Sequence, residues 1–550
     1  YNVTIGDEAG TAITTGDGNV AVGYAALDAN TTASNNTALG YAALGANTEG
    51  TANIAVGYAA LDANTTANNN LAIGHNALGA TTTGGTNVAV GGYSSDANTT
   101  GTGNTALGYN SLSGNTTASN NVAVGLNALA VNTTASNNVA VGYAALDANT
   151  TGASNVALGS NALGVATTAS GNTAVGINTG DAITTGYHNV ALGGFALSTN
   201  ISGAQNVAVG YEALFNNTAS NNTAVGHDAA KDNTSGVGIT AVGYRALTAN
   251  TTGTQNTAVG INALDSNIDG VNNTAVGSAA LGVNTSGSHN ASFGMNTLDA
   301  NTTGSYNIAV GMAALGSNTT AGSNIAVGYN SLATNTTGAN NVAIGHDTLV
   351  FSTTASGNTA VGFQALDANT TGANNTAIGY GARGGGTTGS ANTHIGYNAG
   401  SDATTGIHNV MIGHNAQGTT ATASAQFTMG DANITNLRCN DTSISALSDS
   451  RDKTDVIDSP YGLDFINTVR PVQFKWETRD GNGKDGATRV GFLAQELLAS
   501  CDGNNAVLDL VLDDNPEKLE AKYGNLLPIM VQAIKELSAK VTELEDKLNV

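Results

Sequence analysis

Asn19 to Asn35 reads NVAVGYAALDANTTASN, and units of this kind, 17 residues long, follow one another from Tyr1 to about Ala425. The Asn that opens each copy recurs from Asn2 to Asn206 and again from Asn222 to Asn409, giving 25 copies. One copy, Asn206 to Asn221, is a residue short, and one opening position is Ile239. A unit so short cannot bury an apolar face alone, so neighbouring copies must stack.

Within the frame, the second residue is mostly Val, Ile or Thr, and the fourth is bulky and apolar in every copy (Ile5, Val22, Leu39, Val56, through Ile412). The fifth is Gly throughout (Gly6, Gly23, Gly40, through Gly413). Such residues two apart, ended by Gly, predict a short strand that turns at once. The third residue is nearly always Ala, so one strand face carries Val and Ile and the other carries methyl groups. A strand apolar on both faces is buried on both. One face is expected to fill the coil's own interior, and the alanine face to press against the same coil of neighbouring chains.

An Ala-Leu pair follows (Ala26-Leu27, Ala43-Leu44, Ala145-Leu146), and the rest of the unit is turn material, Asx and Ser/Thr side chains that bond their own backbone. Gly and Thr recur too densely for a helix. The expected fold is mainly β, a parallel β-roll or β-helix solenoid with one coil per repeat. At about 4.8 Å per coil, the 25 coils would make a rod on the order of 120 Å long. Asp occupies the tenth position in eight copies, never in adjacent ones, as expected where stacking would bring like charges together.

The chain has 550 residues and a net charge of −23. All four prolines and the single tryptophan, Trp476, lie after Ser448. Up to residue 425 there are three basic residues, Lys231, Arg245 and Arg383, against 18 acidic ones. This acidity argues against nucleic acid or anionic lipid as a partner, since both need a basic stripe. No run of 18 apolar residues occurs, and Tyr1 opens inside a repeat without a basic leader, as expected of a fragment or a mature form with no membrane insertion. Cys439 and Cys501 are too few for a disulfide framework, which points to reduced thiols. The expected organisation is a repeat shaft at 1–425, a β-rich connector at 426–447, a small α+β domain at 448–525 and a coiled coil at 526–550.

The NxAxG units resemble the head repeats of trimeric autotransporter adhesins and related repeats of phage tail fibres. That resemblance implies a left-handed parallel β-roll in which three chains pack side by side.

At Ser448 to Lys453, SDSRDK, the chain changes character. Ser459-Pro460 is expected to cap and open a helix, residues 471–477 and 488–494 to form two strands around DGNGKDG, and Leu527, Met530, Ile534, Leu537, Val541, Leu544 and Leu548 to line a zipper seam. Coiled-coil rules alone lean towards two strands here, and the trimeric rod overrides them. The order of SDSRDK, a helix, VRPVQFKW, GFLAQEL and a terminal coiled coil resembles the intramolecular chaperone domain of endosialidase-type phage tail spikes and fibres. The resemblance implies a domain that trimerises, templates the stalk before it and cuts itself off between Leu447 and Ser448. Ser448 would be the nucleophile, Lys453 the general base, and Asp449 and Arg451 would orient them; Asp452 stands where the family often has an apolar residue. Lysine can serve as that base only if burial lowers its pKa towards neutrality.

Other motifs are weaker. Asn-Thr-Thr is a glycosylation sequon or a ladder of turns, the latter preferred. Tyrosines after the Gly (Tyr24, Tyr41, Tyr58, Tyr109 and others) could stack on sugars or on one another, again with the second preferred. His394, with His408 and His414 nearby, would hold a metal if its face lined a threefold axis; a core histidine is the plainer expectation, and no metal or cofactor is assigned. Scattered Asp residues do not make a glycanase pair.

The function expected is a homotrimeric phage tail-fibre shaft for host attachment, assembled in the bacterial cytoplasm and carried on the virion, with other tail proteins and a cell-surface receptor as partners. Its enzyme activity would be one turnover in cis. The alternatives are a bacterial surface adhesin with the same rod, which should end in a membrane-anchoring barrel, and an uncleaved fibre tipped by its chaperone.

Overall fold

The computed structural model describes residues 1–431, 433–434, 448–475, 486–517 and 519–548. The chain forms two compact units, Tyr1–Asn341 and Val342–Val550.

In the first unit each repeat supplies one three-residue strand, twenty from Val3–Ile5 to Ile325–Val327. Each strand pairs in parallel with the next at an offset of one repeat, as Val20 with Thr37 and Ala21 with Ala38. The short copy keeps this register, because Val207 pairs with Thr223 and the missing residue is taken from the turn. Gly at the fifth position is required twice over: Gly40 has φ +138°, and a Cβ there would lie 2.3 Å from the Gly57 carbonyl oxygen. Gly40→Ala is therefore expected to cost at least about 3 kcal/mol, from left-handed strain plus overpacking against rigid backbone. Thermal denaturation of the full-length variant, with limited proteolysis around residue 40, checks this.

The strand faces are the reverse of the expected arrangement. Ala21, Ala38 and Ala55 are fully buried inside the chain's own coil, together with Ala26, Leu27, Asn19 and Asn30. The bulky residues point outwards, Leu39 and Ile54 being 46% and 43% exposed. The reason is room. A coil of this length already encloses a leucine and two asparagines, and beside them only a methyl group fits. The outward Val, Ile, Leu and Thr side chains form an apolar stripe along the sheet.

Two buried asparagine columns stitch the coils together. The Oδ1 of Asn36 accepts the Asn53 N–H at 2.9 Å and its Nδ2 donates to the Gly50 carbonyl at 2.9 Å. In the second column, Asn47 Nδ2 donates to Asn30 Oδ1 at 3.0 Å and to the same Gly50 carbonyl at 2.9 Å. These amides satisfy backbone groups that the turns would leave orphaned in the interior. Asn121→Ala removes the acceptor of the Asn138 N–H and the donor to the Ala135 carbonyl. The Ala135 carbonyl keeps the Asn132 Nδ2 donor, so the one stranded group is the Asn138 N–H and a loss of about 1–3 kcal/mol is expected in chemical denaturation.

In the second unit six further strands, from Val342–Ile344 to Phe427–Met429, form the same kind of ladder. The last of them follows the twenty-fifth repeat, with Gln426 donating its N–H to Asn409 Oδ1 as an opening Asn would. Beyond it come helix α1 (Leu463–Ile466), an antiparallel pair Val472–Lys475 and Thr488–Gly491, helices α2 (Ala494–Ser500) and α3 (Asn505–Leu508), a small hairpin Val511–Leu512 with Glu520–Ala521, and helix α4 (Leu526–Leu548). Leu497, Cys501, Leu508, Leu510, Val511, Leu526 and Ile529 form the core of this part, with Tyr461 and Phe465 packed against it. Ser459 does not cap α1. Its hydroxyl accepts the Tyr461 N–H, while Gly462 precedes the helix and the Glu536 carboxylate accepts the Leu463 N–H at 2.7 Å. Both expected strands are present among the described residues, at Val472–Lys475 and Thr488–Gly491; Trp476 and Cys439 lie outside the described residues.

Helix α4 uses one face inwards, burying Leu526, Ile529 and Ala533. A different stripe, Leu527, Met530, Ile534, Leu537, Val541, Leu544 and Leu548, is left exposed. Among the described residues no helix is long and apolar enough to cross a membrane. The last coils meet the loop before the second hairpin strand: Thr419 and Gln426 donate to the Asp514 carboxylate, and Asn515 Nδ2 donates to the Thr419 carbonyl at 2.8 Å.

Candidate functional site

Residues 450–452 form a single 3-10 turn capped by Asp449, whose carboxylate accepts the Arg451 N–H at 2.9 Å. The Arg451 guanidinium folds back onto the same carboxylate, Nε reaching its oxygens at 3.0 and 3.1 Å and Nη2 closing the fork. This pairing holds the Asp449 carboxyl below the usual carboxylate range, so it stays ionised and occupied with Arg451. The turn closes with the Lys453 N–H on the Ser450 carbonyl, which brings the Lys453 side chain back across it. Lys453 Nζ donates to Ser448 Oγ at 2.6 Å.

A serine hydroxyl and a lysine amine at this distance are placed for proton transfer in either direction. With the ammonium donating, Oγ is held but not activated; a neutral amine would accept the hydroxyl proton instead. Neutrality calls for a desolvating surface. Every residue from Ser448 to Pro460 is exposed, so no surface among the described residues desolvates the amine. Leu447, across the expected scissile bond, lies outside the described residues.

The remaining candidates separate cleanly. Tyr24, Tyr41, Tyr58 and His75 stack at centroid spacings of 5.2, 5.0 and 5.1 Å with rings nearly parallel. A second column runs from His346 through Phe363, Tyr380 and Tyr397 to His414. Ring faces inside these columns are covered by the next ring, which leaves edges to solvent. The Asn residues of the sequons, Asn30, Asn64 and Asn132 among them, are fully buried in the second column, where no transferase reaches them.

His394 is fully buried inside its own coil in the place of an alanine, so it does not face a threefold axis. Burial pushes its pKa down to about 3 and keeps the ring neutral. His408 and His414 lie on the outside, and His414 meets Asp431 at 3.3 Å, so the three histidines share no site. Burial raises the Cys501 thiol, which is inert packing in the core. Sequence reasoning passed over Arg383, whose only signal was a basic residue at a leucine position of the frame.

Residues 448–507 match the family model of the chaperone of endosialidase. The match begins at Ser448 and spans the first hairpin and α2. No curated protein matches the chain. A parallel β-solenoid followed by an endosialidase-type chaperone domain is the organisation of a fibre that carries its own intramolecular chaperone.

Proposed function

We propose that the chain is the shaft of a homotrimeric phage tail fibre whose C-terminal domain nucleates the trimer and then cuts itself free at Leu447-Ser448. The observation that carries this is the hydrogen bond from Lys453 to Ser448, whose serine is the first residue of the family match. In the cleavage step Lys453, once neutral, takes the Oγ proton. Oγ bonds to the Leu447 carbonyl carbon, the carbon–nitrogen bond breaks, and the proton passes to the departing Ser448 amine; water then hydrolyses the ester. Asp449 and Arg451 fix the turn that sets the distance.

Two unpartnered apolar surfaces support association: the outward stripe of the sheet and the seven-residue seam on α4. Three copies joined at the seam would also cover the exposed segment from Ser448 to Pro460, supplying a desolvating surface for the Lys453 amine. The polar contacts of Thr419 and Gln426 with Asp514 would seat the chaperone on the last coils and yield after the cut, since exposed hydrogen bonds are weak. The fibre would assemble in a bacterial host, join other tail proteins and meet a cell-surface receptor. Intact and native mass spectrometry of the expressed chain test this reading. Two fragments meeting at Leu447/Ser448 in a three-copy particle are expected; a lone uncut monomer overturns it, and an uncut trimer leaves only the chaperone role.

A further inference from the structure

From the first coils to Leu366 the interior holds alanine, leucine and asparagine with occasional Ser, Thr and Ile, and no ionisable side chain among its fully buried residues; then its character changes. Arg383 takes the place of that leucine one coil later, and His394 takes the place of Ala377, its strand partner in the coil before. Both side chains are fully buried. Arg383 Nη2 donates to the Gly389 carbonyl at 3.0 Å. Its Nε and Nη1, and both ring nitrogens of His394, have no hydrogen-bond partner among the described residues. The chain makes room for the two groups by its own glycines. Gly386 stands where the preceding coil has Asn369, and a Cβ there would lie 2.8 Å from Arg383 Cζ. Gly400 stands at the leucine position, and a Cβ there would lie 2.6 Å from His394 Cδ2.

A guanidinium in such a place needs a counter-charge. Burial lowers Arg383 only to about 10, so it is charged at neutral pH, whereas the neutral His394 ring offers one N–H and one lone pair. Leaving a buried cation unpaired costs several kcal/mol. Water would satisfy the donors without offsetting the charge. No other chain can bring a carboxylate, because the guanidinium is sealed inside its own coil. We infer that Arg383 and His394 bind a monovalent anion of halide size inside the solenoid, held by an unpartnered N–H of Arg383 and by one imidazole N–H. A larger oxyanion is excluded by a cross-section that otherwise admits a leucine, two asparagines and methyl groups. The unpaired charge to be met is a single one, which favours a monovalent ion over a divalent one.

Bromide is the probe. Crystals of the full-length protein soaked in bromide are expected to show an anomalous peak within hydrogen-bond reach of Arg383 Nε or Nη1 and of the His394 ring. In solution, replacing an inert organic anion by chloride or bromide at constant ionic strength is expected to raise Tm in a saturable way. The fourfold variant Arg383→Leu, Gly386→Asn, His394→Ala, Gly400→Leu restores the repeat and should fold without that response. Arg383→Gln, which keeps donors but not the charge, should lose it too. Water alone at the site, or an equal halide response in the restored chain, overturns the inference.

Discussion

Ser448→Ala is expected to leave the full-length chain in one piece under conditions that split the wild type completely, a loss of processing too large to measure by gel or mass spectrometry. Ser448 carries the hydroxyl that is paired with the Lys453 amine, and Ala leaves the turn itself intact. Lys453 should behave differently from a generic cation. Lys453→Met removes the base and is expected to slow cleavage by roughly 10²–10⁴-fold. Lys453→Arg keeps length and charge but cannot give up its proton, so it should be as slow as Met. If Arg restores the rate, the lysine acts as a charge and the assignment of a base fails. Asp449→Asn weakens the grip on Arg451 and should slow cleavage far less than either Lys453 change, since the role proposed for Asp449 is to position the turn. Because the segment is exposed in one chain, variants that stay monomeric should stay uncut even with the Ser448–Lys453 pair intact.

The repeat period and the position of each strand were legible from the sequence because Val-Ala-Val-Gly recurs with its neighbours at fixed spacing. Which strand face lies inside was not. Both faces are apolar, so alternation carries no sign, and the choice rests on cross-section: Leu27, Asn19 and Asn30 fill the coil and leave space for the methyl of Ala21 alone. The opening Asn was legible as a marker but its work was hidden, since a buried amide spanning two coils cannot be seen without the neighbouring coil. In the C-terminal part, Ser459 looked like a cap because Ser-Pro precedes an apolar run, yet the Glu536 carboxylate, 73 residues from Leu463 in sequence, takes the N–H instead. The small hairpin around residue 515 gave no signal, as its strands are two residues each. The spacing of Ser448 and Lys453 became chemistry only once the turn brought the ends within hydrogen-bond distance.

The reversal of the faces changes where association must act. An alanine face between chains would have made a flat, close-packed contact; the outward Val, Ile and Leu instead present branched side chains able to interlock, each contributing about 1 kcal/mol when covered because beyond the first coil it is already more than half buried. Such a stripe repeats at every coil, so a trimer displaced by one repeat would bury nearly the same surface. Surface features that break the repeat would then have to set the register, and the shaft offers few besides the short copy.

Charging the α4 seam should for this reason do more damage than its size suggests. Leu537→Asp with Val541→Asp places carboxylates at the centre of the open stripe while leaving Leu526, Ile529 and Ala533 to hold the helix to its own domain. Burying those charges in a zipper would cost several kcal/mol per chain, enough to weaken trimer nucleation by on the order of 10³-fold. Without a fixed starting point the parallel coils have no local hairpin to guide them, and their apolar stripes are free to pair out of register. The full-length double variant is expected to accumulate as insoluble shaft with Leu447-Ser448 uncut. Ala539→Asp, which moves one such charge to a position on the same helix but off the seam, should yield soluble, processed fibre. Should the double variant still assemble into soluble trimers with wild-type protease resistance, α4 is not the nucleator, and the register must be set within the solenoid itself.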